Sequence, residues 1–164
     1  MSELTARRSK SVPGTILVVS GVNLDLLGRR EPEIYGTTTL DEIYRDVRRE
    51  AKELGLRVEC RQTNSESELL TWLSDGPGKG RQRNKVAWRG VVINPGAWTH
   101  TSLALADRLK GLALPFVEVH LSDITRREEF RRHSFLTPHA LKVISGHGPQ
   151  SYVLGLQALK TFLH

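Results

Sequence analysis

The stretch GRREPEIYGTTTL, Gly28 to Leu40, places Tyr35 five residues after Arg30 and just before a helix start. A tyrosine beside glycine is ordinary packing, but a tyrosine beside a guanidinium can give up its proton and act as a base. A free phenol has a pKa near ~10, and lowering it by ~3 units for work near neutral pH takes roughly 4 kcal/mol. One unit charge at ~4 Å in an effective dielectric of ~20 supplies about 4 kcal/mol. A single well-placed arginine is therefore sufficient in magnitude, before desolvation pushes the other way.

Further residues of the same chemical kind recur in the segments SGVNLDLLGRREPEIYG, NPGAWTHTS, HLSDITRREEFRRH and GHGPQS: Asn23, Asn94, His100, His120, Ser122, Arg127 and Arg131. Each has an ordinary reading. His120 can be a satisfied core histidine, His100 a helix start, Asn94 before a proline a turn residue, and the Arg127–Arg131 pair a solvated face. The nearby acids Glu31, Glu33, Asp107, Glu118 and Asp123 are scattered among arginines and form no carboxylate pair.

Several chemistries fall away. GHGPQS approaches GxGxxG, but Ser151 stands at the third glycine and the stretch follows the last strand, leaving no room for a ribose-holding unit. No Walker A loop is present. His100 and His120 lack the cysteine or clustered-histidine context of a zinc site. No lysine lies in these segments for a Schiff base. Acid–base work by tyrosine and histidine remains, with arginines and amides holding an anion.

These segments need a scaffold that gathers them. TILVVS, LRVEC, GVVIN, PFVEVHLS and LKVISG read as strands, several of them continuously apolar as in a buried parallel sheet. Between them, Thr39 and Glu42 have capping-box spacing. Leu40, Ile43, Tyr44, Val47, Ala51 and Leu54 line one helical face that Gly55 ends. ESELLTWLS, the segment with Leu105, Leu109 and Leu112, the charged turn RREEFRRH and the final segment with Tyr152, Leu156, Leu159 and Leu163 read as further helices. Strictly alternating elements predict an α/β three-layer fold: a five-stranded parallel sheet of flavodoxin-like order 2-1-3-4-5, helices on both faces. In such sheets ligands bind beyond the carboxyl ends of the strands, where the segments above emerge.

The 164 residues suit one domain, residues 15–164, after a polar extension, residues 1–14, expected to be disordered. The net charge of +6 suits an anionic partner. Much of it clusters in Arg7, Arg8 and Lys10 and in Lys79, Arg81, Arg83, Lys85 and Arg89 of a glycine-rich loop. A single cysteine, Cys60, excludes an intrachain disulfide framework. With no apolar run of membrane-spanning length and no secretory signal, a cytoplasmic protein without a membrane partner is the expectation.

GVNLDLLGRREPEIYGTTTL, INPGAWTHTSLALAD, VEVHLSDITRREEFRRHSFLTP and VISGHGPQSYVLGLQAL, in this order, resemble type II 3-dehydroquinate dehydratase, from about Ile16 to the end. The resemblance implies a hydro-lyase that removes water from 3-dehydroquinate with anti stereochemistry, giving 3-dehydroshikimate through an enolate, without metal or cofactor. That step belongs to the shikimate pathway of aromatic amino-acid biosynthesis, or to quinate breakdown. It implies Tyr35 as base, Arg30 as the stabiliser of tyrosinate and enolate, Asn23 as holder of the water on the enolate oxygen, and His120 as acid. It implies substrate contacts from Asn94, His100, Leu121, Ser122 and Arg131, an aspartate at Asp107 that reaches a neighbouring subunit's site, and a homododecamer built from trimers. Val22 stands where proline is usual, Ser20, Asp25 and Asp123 where asparagine is common, Thr125 where histidine is frequent and Ser151 where glycine is. Val22 is expected to alter how rigidly Asn23 is held, and Asp123 to add negative charge near the carboxylate site.

Two other readings stand beside it. A nucleic-acid module would use the basic tail and loop and lose affinity steeply with salt, but it leaves the strand-end segments unexplained, so no nucleic-acid partner is expected. A catalytically dead relative serving as a scaffold runs against the presence of Tyr35, Arg30 and His120.

Overall fold

The computed structural model describes residues 14–78 and 87–163. The expected extension up to residue 13 and the loop residues 79–86, with Lys79, Arg81, Arg83 and Lys85, lie outside the described residues. The strands β1 (Thr15–Ser20), β2 (Arg57–Gln62), β3 (Gly90–Asn94), β4 (Phe116–His120) and β5 (Lys142–Ser145) form one parallel sheet of order β2-β1-β3-β4-β5. This is the expected order. The central strands are covered on both faces, so β3 and β4 are buried along their whole length, while the edge strand β2 carries polar residues.

The period of two along each strand sorts its side chains between two cores. Ile16, Val18, Val92, Val117 and Val119 pack against Ile43 and Val47 of α2 (Leu40–Glu53) and Leu156 and Leu159 of α5 (Gln150–Phe162). Leu17, Val19, Val91, Ile93 and Phe116 face Leu69 and Leu73 of α3 (Glu66–Asp75) and Leu105 and Leu109 of α4 (Leu103–Gly111). Thr39 and Glu42 form the capping box: the Glu42 N–H donates to Thr39 Oγ1 at 3.3 Å and the Thr39 N–H to Glu42 Oε2 at 2.8 Å. Past the end of α2, Gly55 takes φ +68°, which a side chain would resist.

Three local expectations change. Tyr35 closes a single helical turn, α1 (Pro32–Tyr35), with Pro32 at the start where its missing N–H costs nothing. The segment RREEFRRH forms no continuous helix. Two 3-10 turns, Ile124–Arg126 and Glu129–Arg131, flank an extended Arg127 and Glu128. The Arg132 Nε–H then donates to the Arg127 carbonyl at 2.8 Å, which stabilises the break. Leu112, read with Leu105 and Leu109 as part of one helix, instead follows the last turn of α4 and stays exposed.

Candidate active site

A cleft opens at the carboxyl ends of β1, β3 and β4. Among its lining residues are Asn23, Arg30, Tyr35, Asn94, His100, His120, Leu121, Ser122, Arg127 and Arg131. Of the expected site residues only Asp107 is elsewhere, exposed on α4, away from the cleft of its own chain.

Tyr35 reaches the cleft from α1, part-buried. Its phenol oxygen accepts from Arg127 Nη1 at 3.1 Å, and the guanidinium carbon lies 5.8 Å from the ring centroid. The contact raises the Arg127 pKa above its ordinary value: the phenol hydrogen bond favours the cation most, partial burial opposes it, and Glu128 adds attraction. The arginine in contact is therefore not the expected one. Arg30 lines the same cleft, but its Nε–H donates to Glu31 Oε2 at 3.0 Å, and both side chains are exposed. Arg127, which by sequence read as half of a solvated face, has a side chain only 17 % exposed. The extended backbone at Arg127 and Glu128 is what lifts it out of the helix and over the tyrosine.

His120 ends β4 with its side chain almost fully buried, and its Nε2 lies 2.7 Å from Glu118 Oε1. The two residues are neighbours on one face because side chains two apart on a strand point the same way. Burial pushes the Glu118 carboxyl pKa up, but hydrogen bonds and charge from His120, with hydrogen bonds from Ser134 and Thr137, outweigh it and hold the net value below the ordinary one. An ionised carboxylate only accepts. The His120 Nε2 therefore carries the proton in this pair, and Nδ1 is the nitrogen left for a ligand. Thr99 and Ser134 also donate to Glu118 Oε1, at 2.8 and 2.7 Å, and Thr137 to Oε2 at 2.8 Å. Sequence reading passed over Glu118 as one scattered acid. Its signal was a glutamate inside an otherwise apolar strand, two positions before a histidine.

His100 lies across the cleft. A carbonyl only accepts, so the 2.7 Å contact with the His133 oxygen puts the His100 proton on Nδ1 and leaves Nε2 free. Burial lowers the His100 pKa most, the His133 carbonyl opposes that, and His120, Arg131 and Arg127 add to the lowering. His100 thus offers a neutral nitrogen acceptor. Arg131 brings a buried Nε without a hydrogen-bond acceptor, 3.7 Å from Glu128 Oε2. Asn94 is buried, with Oδ1 accepting from the Gly96 N–H at 3.1 Å. Asn23 sits at φ +65°, a conformation asparagine tolerates, and its backbone N–H donates to Asn64 Oδ1 at 2.8 Å.

Asp123, expected to burden this cleft with negative charge, does not line it. Its Oδ1 accepts from the Thr125 N–H at 3.0 Å and hydroxyl at 2.6 Å, which hold its pKa below the ordinary value. The cleft thus pairs a tyrosine under a guanidinium with a histidine on a buried carboxylate, among cations and amides suited to an oxygen-rich anion. Among the described residues, no group of three or more histidines, cysteines and acids is arranged to hold a metal ion.

A family model described as "Dehydroquinase class II" matches residues 14–160. A 3-dehydroquinate dehydratase of Trichodesmium erythraeum is 47% identical over 148 residues, covering 90% of this chain and 93% of that protein. The 3-dehydroquinate dehydratase 2 of Pseudomonas aeruginosa is 50% identical over 143 residues, covering 87% of this chain and 91% of its own. The type II dehydroquinase structure from Propionibacterium acnes matches with a TM-score of 0.79 at 44% identity, covering 92% of this chain and 99% of that one.

Proposed function

The chain belongs to the class II dehydroquinase family, and from that membership we propose that it dehydrates 3-dehydroquinate to 3-dehydroshikimate, with Tyr35 as base and His120 as acid. The observation that carries the residue roles is the Arg127–Tyr35 contact at 3.1 Å in the cleft that also holds the Glu118-bound His120.

The reaction divides into two steps. Tyr35, as tyrosinate, takes the proton from the carbon next to the substrate ketone, and the electron pair moves into an enolate. Arg127 stabilises the tyrosinate it touches. Arg30, released from Glu31, adds positive charge toward the enolate, and Asn23 holds a water that hydrogen-bonds the enolate oxygen. Preorganised donors of this kind make an otherwise weak carbon acid removable. The enolate then reforms the ketone as a carbon–carbon double bond forms and the carbon–oxygen bond breaks. His120 gives the departing hydroxyl a proton so that it leaves as water. Glu118 keeps the imidazole oriented through its 2.7 Å contact with Nε2. Asn94, His100 and Arg131 bind ring hydroxyls, and backbone groups at Leu121 and Ser122 grip the carboxylate.

Asp107 fits a role in a neighbouring subunit's cleft, since it lies exposed and outside its own. We take the working assembly to be a dodecamer built from trimers, in the cytoplasm. No helix among the described residues is long and apolar enough to cross a membrane. The test is the ultraviolet absorbance of the conjugated enone carboxylate product. Steady formation from 3-dehydroquinate by purified protein is expected, and its absence refutes the assignment.

A further inference from the structure

A backbone grip at Leu121 and Ser122 works only if the peptide plane between them is turned the right way. Register pairing of His120 with Ser145 sets the ends of β4 and β5 side by side, so the loop after β5, residues 146–149, runs against the chain just beyond His120. The Gly148 N–H donates to the Leu121 carbonyl at 2.9 Å. On the far side of Ser122 the same loop packs on Asp123, where a Cβ built on Gly146 would lie 3.3 Å from Asp123 Cβ. The loop therefore braces the chain on both sides of Ser122.

Gly148 is itself tied down. Its carbonyl accepts from the Ser151 N–H at 3.0 Å, in the first turn of α5. Ser151 is fully buried, and its Oγ accepts from the His147 N–H at 3.3 Å, a bond that glycine at this position could not make. Buried Tyr152, Leu156 and Leu159 seat α5 on the sheet, so the loop inherits a rigid support. Gly148 takes φ +56°, a left-handed conformation that strains most side chains. An added Cβ there would meet nothing within 4 Å, so glycine is needed for its conformation and not for space.

The Leu121–Ser122 peptide is trans, which sets the Leu121 carbonyl and the Ser122 N–H in opposite directions. With the carbonyl held toward Gly148, the Ser122 N–H is turned to the other side. Leu121 and Ser122 line the cleft whereas residues 146–148 do not, so that other side is the cleft. We propose that Gly148 and Ser151 are positioning residues, which hold the Leu121–Ser122 peptide so that the Ser122 N–H meets the substrate carboxylate. A bond from an N–H to a carboxylate is charge-assisted and weakens steeply as the donor turns away. The loop after β5 thus sets how strongly the cleft prefers an acid over a neutral ring of the same shape. The proposal rests on the reading of Leu121 and Ser122 as the carboxylate grip of a dehydratase.

The experiment measures kcat and KM for 3-dehydroquinate in Gly148→Ala, Gly148→Asn and Ser151→Ala, with Tm alongside. Calorimetry gives the affinity of each chain for quinate and for its methyl ester. Gly148→Ala disfavours the left-handed backbone and should raise KM about 5- to 10-fold with kcat changed less than about 2-fold. Gly148→Asn, which tolerates that backbone, should return KM to near the parent value. Ser151→Ala should raise KM about 2- to 5-fold. Quinate should weaken in Gly148→Ala and Ser151→Ala by the same factors as KM, while the uncharged ester should change less than about 2-fold. Gly148→Asn as impaired as Gly148→Ala, equal weakening of acid and ester, or a lowered Tm with unchanged KM overturns the proposal. Ser151→Ala decides alone should Gly148→Ala fail to fold. If the parent chain does not turn over 3-dehydroquinate, the functional assignment falls, and the preference for quinate over its ester still decides the grip. Its loss in Gly148→Ala upholds the proposal; a preference absent from the parent, or unchanged in the variant, refutes it.

Discussion

Replacing Arg127 by glutamine removes the cation that Tyr35 touches while keeping a polar side chain of similar reach. A full charge at the 3.1 Å contact distance and an effective dielectric of ~20 gives about 5 kcal/mol. The guanidinium charge is spread over atoms about an ångström farther away on average, which brings this to ~4 kcal/mol. Glu128, whose Oε2 accepts from Arg127 Nε at 3.3 Å, cancels part of it, and the side chain is 17 % exposed. Halving for these effects leaves ~2 kcal/mol of attraction between the guanidinium and the negative charge on the base, roughly a factor of 30. The expected kcat of Arg127→Gln at pH 7 is therefore about 30-fold lower. Higher hydroxide concentration favours removal of the proton without the arginine, so the deficit should shrink as pH rises. Arg127→Lys keeps the charge but not the planar fork and should fall between the two. Product absorbance across a pH series with matched Tm values makes the measurement. A deficit equally large at pH 7 and pH 9 would mean that Arg127 acts through loop structure, and the electrostatic account would be wrong.

Tyr35→Phe should abolish turnover while calorimetry still detects 3-dehydroquinate binding, because the ring remains and only the base is lost. His120→Ala should cripple the elimination step, and near-normal rates would remove it as the acid. Glu118→Gln replaces a carboxylate that accepts from His120, Thr99, Ser134 and Thr137; loss of about 10- to 100-fold in kcat is expected, with a lower Tm. Stability should fall on acidification in two stages. His100 has a lowered folded pKa, so below about pH 6.5 the unfolded chain binds its proton first. Glu118 also has a lowered folded pKa, so its contribution is present above about pH 4.5 and is lost as pH falls through the folded value. Urea midpoints between pH 8 and pH 2 check both signs. Gly155→Ala would set a Cβ 2.6 Å from Val119 Cγ1 and 3.1 Å from Val92 Cγ1; a loss of ~1–3 kcal/mol is expected from overpacking.

What could be read from the sequence follows from how far apart the interacting residues lie. The strands, the capping box of α2 and the strand order rest on periodicity and local signals, and the five-stranded order came through intact. The gathering of Asn23, Tyr35, Asn94, His100 and His120 into one cleft follows from the parallel topology alone, since each sits at or just beyond a carboxyl end of a strand. The identity of the arginine on Tyr35 did not follow. Arg30 is near in sequence, whereas Arg127 is 92 residues away, and the contact depends on an extended break in a segment whose residues favour helix. Charge pattern at a spacing of four could not reveal that break, because the break is fixed by the Arg132 bond to the Arg127 carbonyl.

Val22, where the family pattern has proline, leaves Asn23 to be held by other parts of the fold. Proline before Asn23 would restrict the backbone entering its left-handed turn, and Val22 does not. The structure supplies the restraint from the neighbouring loop: Asn64 Oδ1 accepts from the Asn23 N–H at 2.8 Å and from Gln62 Nε2 at 3.1 Å, while Gln62 also donates to the Gly21 carbonyl at 3.2 Å. Gly96 closes the other side, where a Cβ would meet the Val22 carbonyl oxygen at 2.8 Å. Asn23 is thus held by bonds from outside its own loop. Cutting one of them should loosen it even though Val22 is untouched. Asn64→Ala should therefore lower kcat more than it raises KM, because the water that Asn23 holds is needed only once enolate charge develops. An equal rise in KM with kcat preserved would place Asn23 in ground-state binding instead.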